Sequence, residues 1–345
     1  NYKFSKFCFI QWFRRKFKIK LMKKKTYLIT GGTGFIGSAI IKKLVQSKVN
    51  VICFDSNIRG NFSKLGIAKN KVKIELGDIR DLKRLIKISK KVDCIIHLAF
   101  LNGTEYFYSK PELVLDIGVK GMINVLEACK KNNIKELILA SSSEVYQIPK
   151  KIPTNENVIM KIPDVFNPRY SYAAGKIISE VLAINNSKIF KKLIIFRPHN
   201  VYGPDMGFEH VIPQIILRMR KLKKKSGKIN FKIQGSGKET RSFNHIDDFV
   251  DGFFKILRKG KHLNIYNIGT QEEIKISDLT RLIAKNLNYK IKIIKTSVSK
   301  GSTTRRCPDI SKLKKLGYSP KIKIKKGIKE VIEWYSNPIN LKKIK

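Results

Sequence analysis

The sequence predicts an α/β fold, a doubly wound parallel sheet with a smaller C-terminal α/β lobe. Three observations predict it. Short apolar runs alternate with helical patterns from Lys25 to about Phe196, and parallel strands need such a crossover between each pair. A glycine-rich turn follows the first run directly. After about Asn200 the alternation loosens, which marks the smaller lobe. A length of 345 residues suits one large domain or two modest ones.

Taken in order, Thr26–Thr30 reads as a strand, followed by a glycine turn and an apolar helix to about Val45. Val49–Phe54 is a second strand ending at Asp55, Val72–Leu76 a third and Val92–Leu98 a fourth. Pro111 opens a long helix to about Lys131, because its fixed φ suits the first helical turn. Leu113, Ile117, Ile123, Val125, Leu126 and Ala128 broadly follow the 3.6-residue period. Leu137–Ala140 is a fifth strand, Tyr172–Asn185 a helix and Leu193–Phe196 a sixth strand. Beyond them, helices are expected at Ile212–Lys223, His245–Arg258, Ser277–Leu287 and Lys326–Tyr335, with Ser277 as an N-cap. Short strands are expected at Phe231–Ile233, Ile265–Ile268 and Ile291–Ile294. The division is therefore residues 22–199 for the nucleotide-binding sheet and 200–345 mainly for the second lobe, interleaved with the first. No internal repeat is present.

Residues 1–21 differ from the rest: they carry no acidic residue and mix Phe4, Phe7, Phe9, Trp12, Phe13 and Phe17 with Lys and Arg. They are expected to be an upstream extension without part in the fold; the competing account is a basic amphipathic segment on a membrane surface. The net charge of +46 admits a nucleic-acid or acidic-membrane binder. Here lysine is spread through nearly every segment, whereas a nucleic-acid site concentrates charge and interleaves Arg with aromatics. Nucleic acid is accordingly not an expected partner. No apolar run approaches the ~18–20 residues of a membrane span, so no stable membrane insertion is expected. Cys8, Cys53, Cys94, Cys129 and Cys307 are scattered with no C-x-x-C pair, which fits reduced thiols in a cytoplasmic protein. His199, His210 and His245 show no metal-ligand spacing, so no metal site is expected. His97, at a strand end, reads as a packed, hydrogen-bonded histidine.

Thr30-Gly31-Gly32-Thr33-Gly34-Phe35-Ile36-Gly37 lies between the first strand and its helix and satisfies the G-x-G-x-x-G dinucleotide fingerprint. Glycine permits the tight turn and the close approach of backbone to pyrophosphate, and the helix start supplies free N–H groups and a positive dipole end. Gly31, Gly34, Phe35, Ile36 and Gly37 are the candidate residues of this Rossmann-type turn. Asp55 ends the next strand, where its carboxylate accepts ribose hydroxyls and repels a 2′-phosphate. NAD is therefore the expected cofactor, though Arg59 nearby weakens that preference. Asp78-Ile79 follows the third strand; Asp78 is read either as an adenine-side residue or as a helix N-terminal residue.

Tyr172-Ala-Ala-Gly-Lys176 places a phenol and an ammonium on one helical face. A phenol with pKa near ~10 is a poor base at neutral pH, and an adjacent ammonium with a positive nicotinamide favours the phenolate. Tyr172 is thus the candidate general base. Ser141-Ser142-Ser143-Glu144-Val145-Tyr146 lies just past the fifth strand, at the sheet edge that faces the ligand crevice. A serine there can hold the hydroxyl that Tyr172 deprotonates, although such clusters also cap turns. The run Tyr106-Phe107-Tyr108 suits either the substrate pocket or the core.

Together these segments resemble the extended short-chain dehydrogenase/reductase family, in its nucleotide-sugar epimerase and dehydratase branch, from about Lys25 to Tyr335. The matching motifs also include His97-Leu98-Ala99, Arg197-Pro-His-Asn-Val-Tyr-Gly-Pro204, Thr240-Arg-Ser-Phe-Asn-His-Ile-Asp247 and Arg305-Arg-Cys-Pro-Asp-Ile-Ser-Lys312. The resemblance implies Ser142 as the catalytic serine, Tyr172 as the base, and Lys176 as both a catalytic and a nicotinamide-ribose residue. Leu98 and Ala99 would line the cofactor. Asn200, Arg241 and Arg306 would contact the substrate diphosphate or nucleotide, with Arg305 competing for the last role.

The implied substrate is a nucleotide-sugar oxidised to a 4-keto intermediate. An epimerase then restores it on the other face, a 4,6-dehydratase loses water, and a decarboxylase loses carbon dioxide. UDP-glucose 4-epimerase-like chemistry is narrowly favoured. Glu144, two residues past Ser142, favours the dehydratase or decarboxylase alternative, since C5 proton abstraction wants a second base. Ser143 and Gln147 depart from some members of the family. A catalytically silent NAD-binding regulatory protein is the non-enzyme alternative. A homodimer through the helices at about Pro111–Lys131 and Tyr172–Asn185 is implied by the resemblance alone.

Overall fold

The computed structural model describes residues 24–222, 227–297, 301 and 303–342. The basic aromatic extension at residues 1–21 lies outside them. The first half builds β1 (Thr26–Thr30), α1 (Phe35–Leu44), β2 (Asn50–Asp55), β3 (Lys73–Leu76), α2 (Leu82–Ile88) and β4 (Cys94–His97). There follow α3 (Thr104–Ser109), α4 (Pro111–Leu115), a π turn at Asp116–Lys120, α5 (Gly121–Lys131), β5 (Glu136–Ala140), α6 (Ser171–Asn185) and β6 (Lys192–Pro198).

The six strands predicted from the alternation join a seventh in one all-parallel sheet, ordered β3-β2-β1-β4-β5-β6 and then β11 (Asn264–Ile268). Strand order reverses between β1 and β4, which opens a crevice at the carboxyl ends of both. Both faces are covered, so the inner strands are apolar on both sides, while the edge strand β3 keeps Lys73 and Glu75. Tyr27, Ile29, Cys53, Ile96, Ile138 and Phe196 pack on one face, under α1. Leu28, Phe54, Ile95, Leu137 and Ile195 pack on the other, with α5 and α6.

The chain beyond β6 continues through β7 (Val201–Tyr202), α7 (Val211–Arg220), β8 (Ile229–Gln234), β9 (Thr240–Ser242), β10 (Asn244–His245) and α8 (Ile246–Lys259). It returns through β11 to the main sheet, and α8 covers the α1 face. The remaining elements are β12 (Glu273–Lys275), α9 (Ile276–Asn286), β13 (Ile291–Thr296), β14 (Arg305–Arg306), α10 (Ser311–Lys314), α11 (Ile324–Ser336) and α12 (Pro338–Lys342). A third apolar cluster, with Ile212, Ile216, Phe231, Leu279, Ile283, Ile328 and Val331, holds α7, α9 and α11 together. Among the described residues no helix is long and apolar enough to cross a membrane.

Two local expectations need correction. Ser277 is not an N-cap: α9 begins at Ile276 with Lys275 in the cap position, and Ser277 instead donates its N–H to Gly237 O at 3.0 Å. The helix from Pro111 does start at proline, but it is not a regular α-helix to Lys131. The π turn interrupts it where Gly118 faces the Phe100 ring, and a Cβ on Gly118 would run into Phe100 Cζ. An aromatic ring pressed against the helix backbone is a contact that periodicity alone does not reveal.

Candidate active site

The ends of β1 and β4 are tied by one hydroxyl. Thr30 Oγ1 contacts His97 Nδ1 at 2.7 Å and accepts the N–H groups of Leu98 and Ala99 at 3.2 and 3.3 Å. His97 is buried, and burial pulls its pKa down to about 3, so it is a neutral structural group as expected. The glycine turn sits beside this tie. Gly31 has φ +72°, and a Cβ there would come within 2.7 Å of Ala99 N. A Cβ on Gly37 would meet Gly31 O, so the turn is held closed by backbone packing. Gly34 occupies the N-cap position of α1 with no side-chain cap, which leaves N–H groups of the first turn facing outward.

A crevice of about 400 Å³ runs along the sheet edge. It is lined by Gly31, Gly34, Phe35, Ile36, Gly37, Asp55, Asp78, Ile79, Leu98 and Ala99. Asn200, Ser142, Glu144, Tyr172, Lys176 and Arg306 line the same crevice. All the predicted site residues except Arg241 are therefore brought together. Arg241 lies next to Arg306 through the β9–β14 pairing, but its guanidinium donates to Thr240 O and Thr303 O at 2.8 and 2.7 Å.

Each oxygen of Asp55 accepts one backbone N–H, from Thr33 and from Asn57, both at 2.9 Å. That holds the carboxylate at the turn with lone pairs to spare. Asp78 is gripped by Arg80 at 3.0 and 2.6 Å, a hydrogen bond that holds its carboxyl below the usual range. It is not the start of α2, which Asp81 caps by accepting from Arg84 N. Arg59 is engaged by Glu209 at 3.0 Å, which neutralises the cation that weakened the preference for NAD.

Ser142 accepts the Glu144 N–H at 3.1 Å and so caps the turn Ser143–Tyr146 while facing the crevice. Burial pushes the Tyr172 phenol well above its ordinary value; a hydrogen bond with Ser142 opposes the rise and the Glu144 charge adds to it. Burial pulls the Lys176 amine down to about 7 against the pull of Glu180. The lysine donates to Ala140 O at 2.7 Å, with its nitrogen 5.8 Å from the Tyr172 ring centroid. Before NAD adds its charge, desolvation thus outweighs the neighbouring groups and holds the phenol up.

Glu144 is taken by Arg306 at 2.6 and 3.3 Å. Burial raises its pKa, but the Arg306 charge and hydrogen bonds, with Arg169 and Arg241, bring it to a net value below the ordinary one. Of the two competing arginines, Arg306 faces the crevice while Arg305 binds Glu273 at 2.6 Å on the exposed side. Sequence reasoning missed Phe100 and the particular place of Phe107. Phe107 stacks on Tyr172 with ring centroids 5.0 Å apart and is also core, whereas Tyr108 is exposed. The signal for Phe100 was its place directly after His97-Leu98-Ala99.

A doubly wound sheet with this turn, acidic partner and phenol–amine pair at its edge defines a dinucleotide-dependent protein of the short-chain dehydrogenase/reductase type. The NAD dependent epimerase/dehydratase family model matches residues 27–269, and the chain belongs to that family. It is 31% identical over 312 residues to a putative UDP-glucose 4-epimerase of Methanocaldococcus jannaschii, covering 90% of this chain and 98% of that one. It is 28% identical to a UDP-N-acetyl-alpha-D-glucosaminuronate decarboxylase of Bacillus cytotoxicus, covering 90% and 98%. The crystal structure of a dTDP-glucose 4,6-dehydratase from Streptomyces venezuelae with NAD bound superposes with a TM-score of 0.82 at 25% identity, covering 92% and 98%.

The protein is NAD-dependent by family, and its residues fit the cofactor. The closed glycine turn leaves no room for side chains where backbone must approach a pyrophosphate. Ser141 Oγ, in the crevice wall, is buried with no hydrogen-bond partner among the described residues.

Proposed function

We propose that this chain is a nucleotide-sugar epimerase, similar in reaction to UDP-glucose 4-epimerase and acting through a 4-keto sugar. The observation that carries the reading is the single crevice in which Ser142, Tyr172 and Lys176 meet the glycine turn. NAD, when bound, supplies the oxidant for the sugar's C4 carbon and a positive charge beside the phenol. Ser142 holds the C4 hydroxyl, Tyr172 takes its proton, and Lys176 anchors the nicotinamide ribose. Gly31, Gly34, Phe35, Ile36, Gly37, Asp55, Asp78, Ile79, Leu98 and Ala99 hold the rest of the cofactor. Asn200 and Arg306 bind the diphosphate or nucleotide, while Arg241, held by backbone carbonyls beside Arg306, reaches it only if its guanidinium turns from Thr303 O; residues 200–345 serve mainly as the substrate lobe. Tyr172 returns the proton once the keto sugar presents its other face.

Epimerisation needs one base. Arg306 keeps Glu144 at 2.6 Å while its own Nε has no partner among the described residues, so it can meet a diphosphate without releasing Glu144 as a second base, which fits that requirement. The second reading, a 4,6-dehydratase or decarboxylase, draws on the same pair. Glu144 reaches the crevice, and a substrate anion that took over Arg306 would release it as a second base.

Incubation with UDP-, dTDP- and GDP-sugars separates the readings by product mass. An inverted C4 with unchanged mass is expected. Loss of water or of carbon dioxide would overturn the epimerase in favour of the second reading, and no turnover of any sugar would point to the silent regulatory protein.

We also infer a homodimer formed through α5 and α6. Their exposed faces carry Ile123, Ile178, Val181 and Ile184, apolar side chains that a second copy would cover.

A further inference from the structure

Phe100 leaves β4 directly after Ala99 and enters a slot cut for an aromatic ring. Two glycines form the slot. One is Gly118 on the π turn, and the other is Gly175, inside the Tyr172–Lys176 segment, where a Cβ would come within 2.7 Å of Phe100 Cζ. The ring meets Tyr172 edge-on, with centroids 5.0 Å apart at 80°. Its face lies under the Lys176 ammonium, 4.2 Å from nitrogen to centroid. The only hydrogen bond that Lys176 makes among the described residues is to Ala140 O. An ammonium carries three donors, so one carbonyl leaves it free to swing about that bond. A ring face attracts a cation through its quadrupole and most strongly where water is excluded.

We propose that Phe100 is a positioning residue whose ring face fixes the Lys176 ammonium beside Tyr172 and closes the inner wall of the site to water. The inference rests on the roles given above to Tyr172 and Lys176, and extends them to a ring that packs against both. The other groups around the lysine do not substitute for the ring. Glu180 on α6 is spoken for by Arg197 at 2.6 Å, and His97 on β4 is kept neutral by burial. Ala140 on β5 offers a carbonyl, which fixes one direction only. Gly118 and Gly175 are then part of the same device, because a side chain at either would displace the ring.

The test replaces Phe100 by 3-fluoro-, 3,5-difluoro- and 3,4,5-trifluorophenylalanine in the NAD-loaded protein. These rings differ little in size while their quadrupole weakens step by step. Two quantities are read: the titration midpoint of Lys176 by NMR of lysine-labelled protein, assigned against Lys176→Met, and kcat. The midpoint is expected to fall by about one pH unit across the series, because the ammonium loses its attraction. The turnover number is expected to fall about tenfold with it, at unchanged KM. A flat midpoint, or a midpoint that moves while kcat stays level, overturns the proposal. Tyr172→Phe is assayed alongside. Retained turnover there would refute the assigned base without touching the lysine titration, so the two failures are told apart.

Discussion

Tyr172 and Lys176 sit one turn apart on α6, and burial works on both, raising the phenol and lowering the amine to about 7. The consequence for stability follows from proton counting. Between about 7 and the ordinary 10.5, the unfolded lysine binds a proton that the folded one has lost. The cost of burying the cation is therefore fully present below about pH 7 and is relieved as pH rises toward 10. Lys176→Met carries no such charge. Its stability advantage over the wild type is expected to be largest near pH 7 and to shrink toward pH 10, measured by denaturant unfolding at constant ionic strength. Parallel stability curves would show that the lysine is not desolvated. If Tyr172 is the base proposed above, the phenol needs help from charge that arrives with NAD, because burial raises it.

The elements holding this pair are locked by a buried network. Glu180 of α6 and Arg197 of β6 pair at 2.6 and 2.8 Å with both side chains almost fully enclosed. Arg197 also donates to the Tyr146 hydroxyl at 2.7 Å, and Tyr146 donates to Asn267 of β11 at 2.8 Å. One chain of contacts thus joins the helix of the phenol, the loop of Ser142 and the strand returning from the second lobe. Removing one partner strands a buried charge, so Glu180→Gln is expected to cost about 3–5 kcal/mol of unfolding free energy in urea. A loss under about 1 kcal/mol would mean that water reaches the pair.

Most strands of the main sheet are legible as apolar runs of four to seven residues, and the edge strand β3, Lys73-Ile-Glu-Leu76, as an alternating one. β7, β10 and β14 are two residues long and carry no period to read. The glycine turn, the serine cluster and the Tyr172–Lys176 spacing are local patterns, so they were legible too. The Glu144–Arg306 pair spans 162 positions, and Phe100 meets Gly118 and Gly175 only after folding. Contacts of that kind leave no spacing signal.

Over the whole molecule, the crevice lies where the parallel sheet meets segments that return from the second lobe. Arg59–Glu209 at 3.0 Å and Lys64–Asp205 at 2.7 Å tie the chain after β2 to the loop before α7, along the crevice rim. α5 and α6 expose Ile123, Ile178, Val181 and Ile184 to solvent. If they meet a second copy, the wild type will run as a dimer by light scattering, and the double variant Ile178→Glu, Val181→Glu will run as a monomer. A monomeric wild type, or a double variant that stays dimeric, would contradict that surface assignment. Tyr172 is the proposed base, and the epimerase reading stands or falls with it. The most direct measurement is turnover of the identified sugar by Tyr172→Phe, with NAD content determined on the same sample. A fall in kcat of about 10²–10⁴-fold with NAD retained is the predicted result, and wild-type turnover by a variant still holding NAD would contradict it.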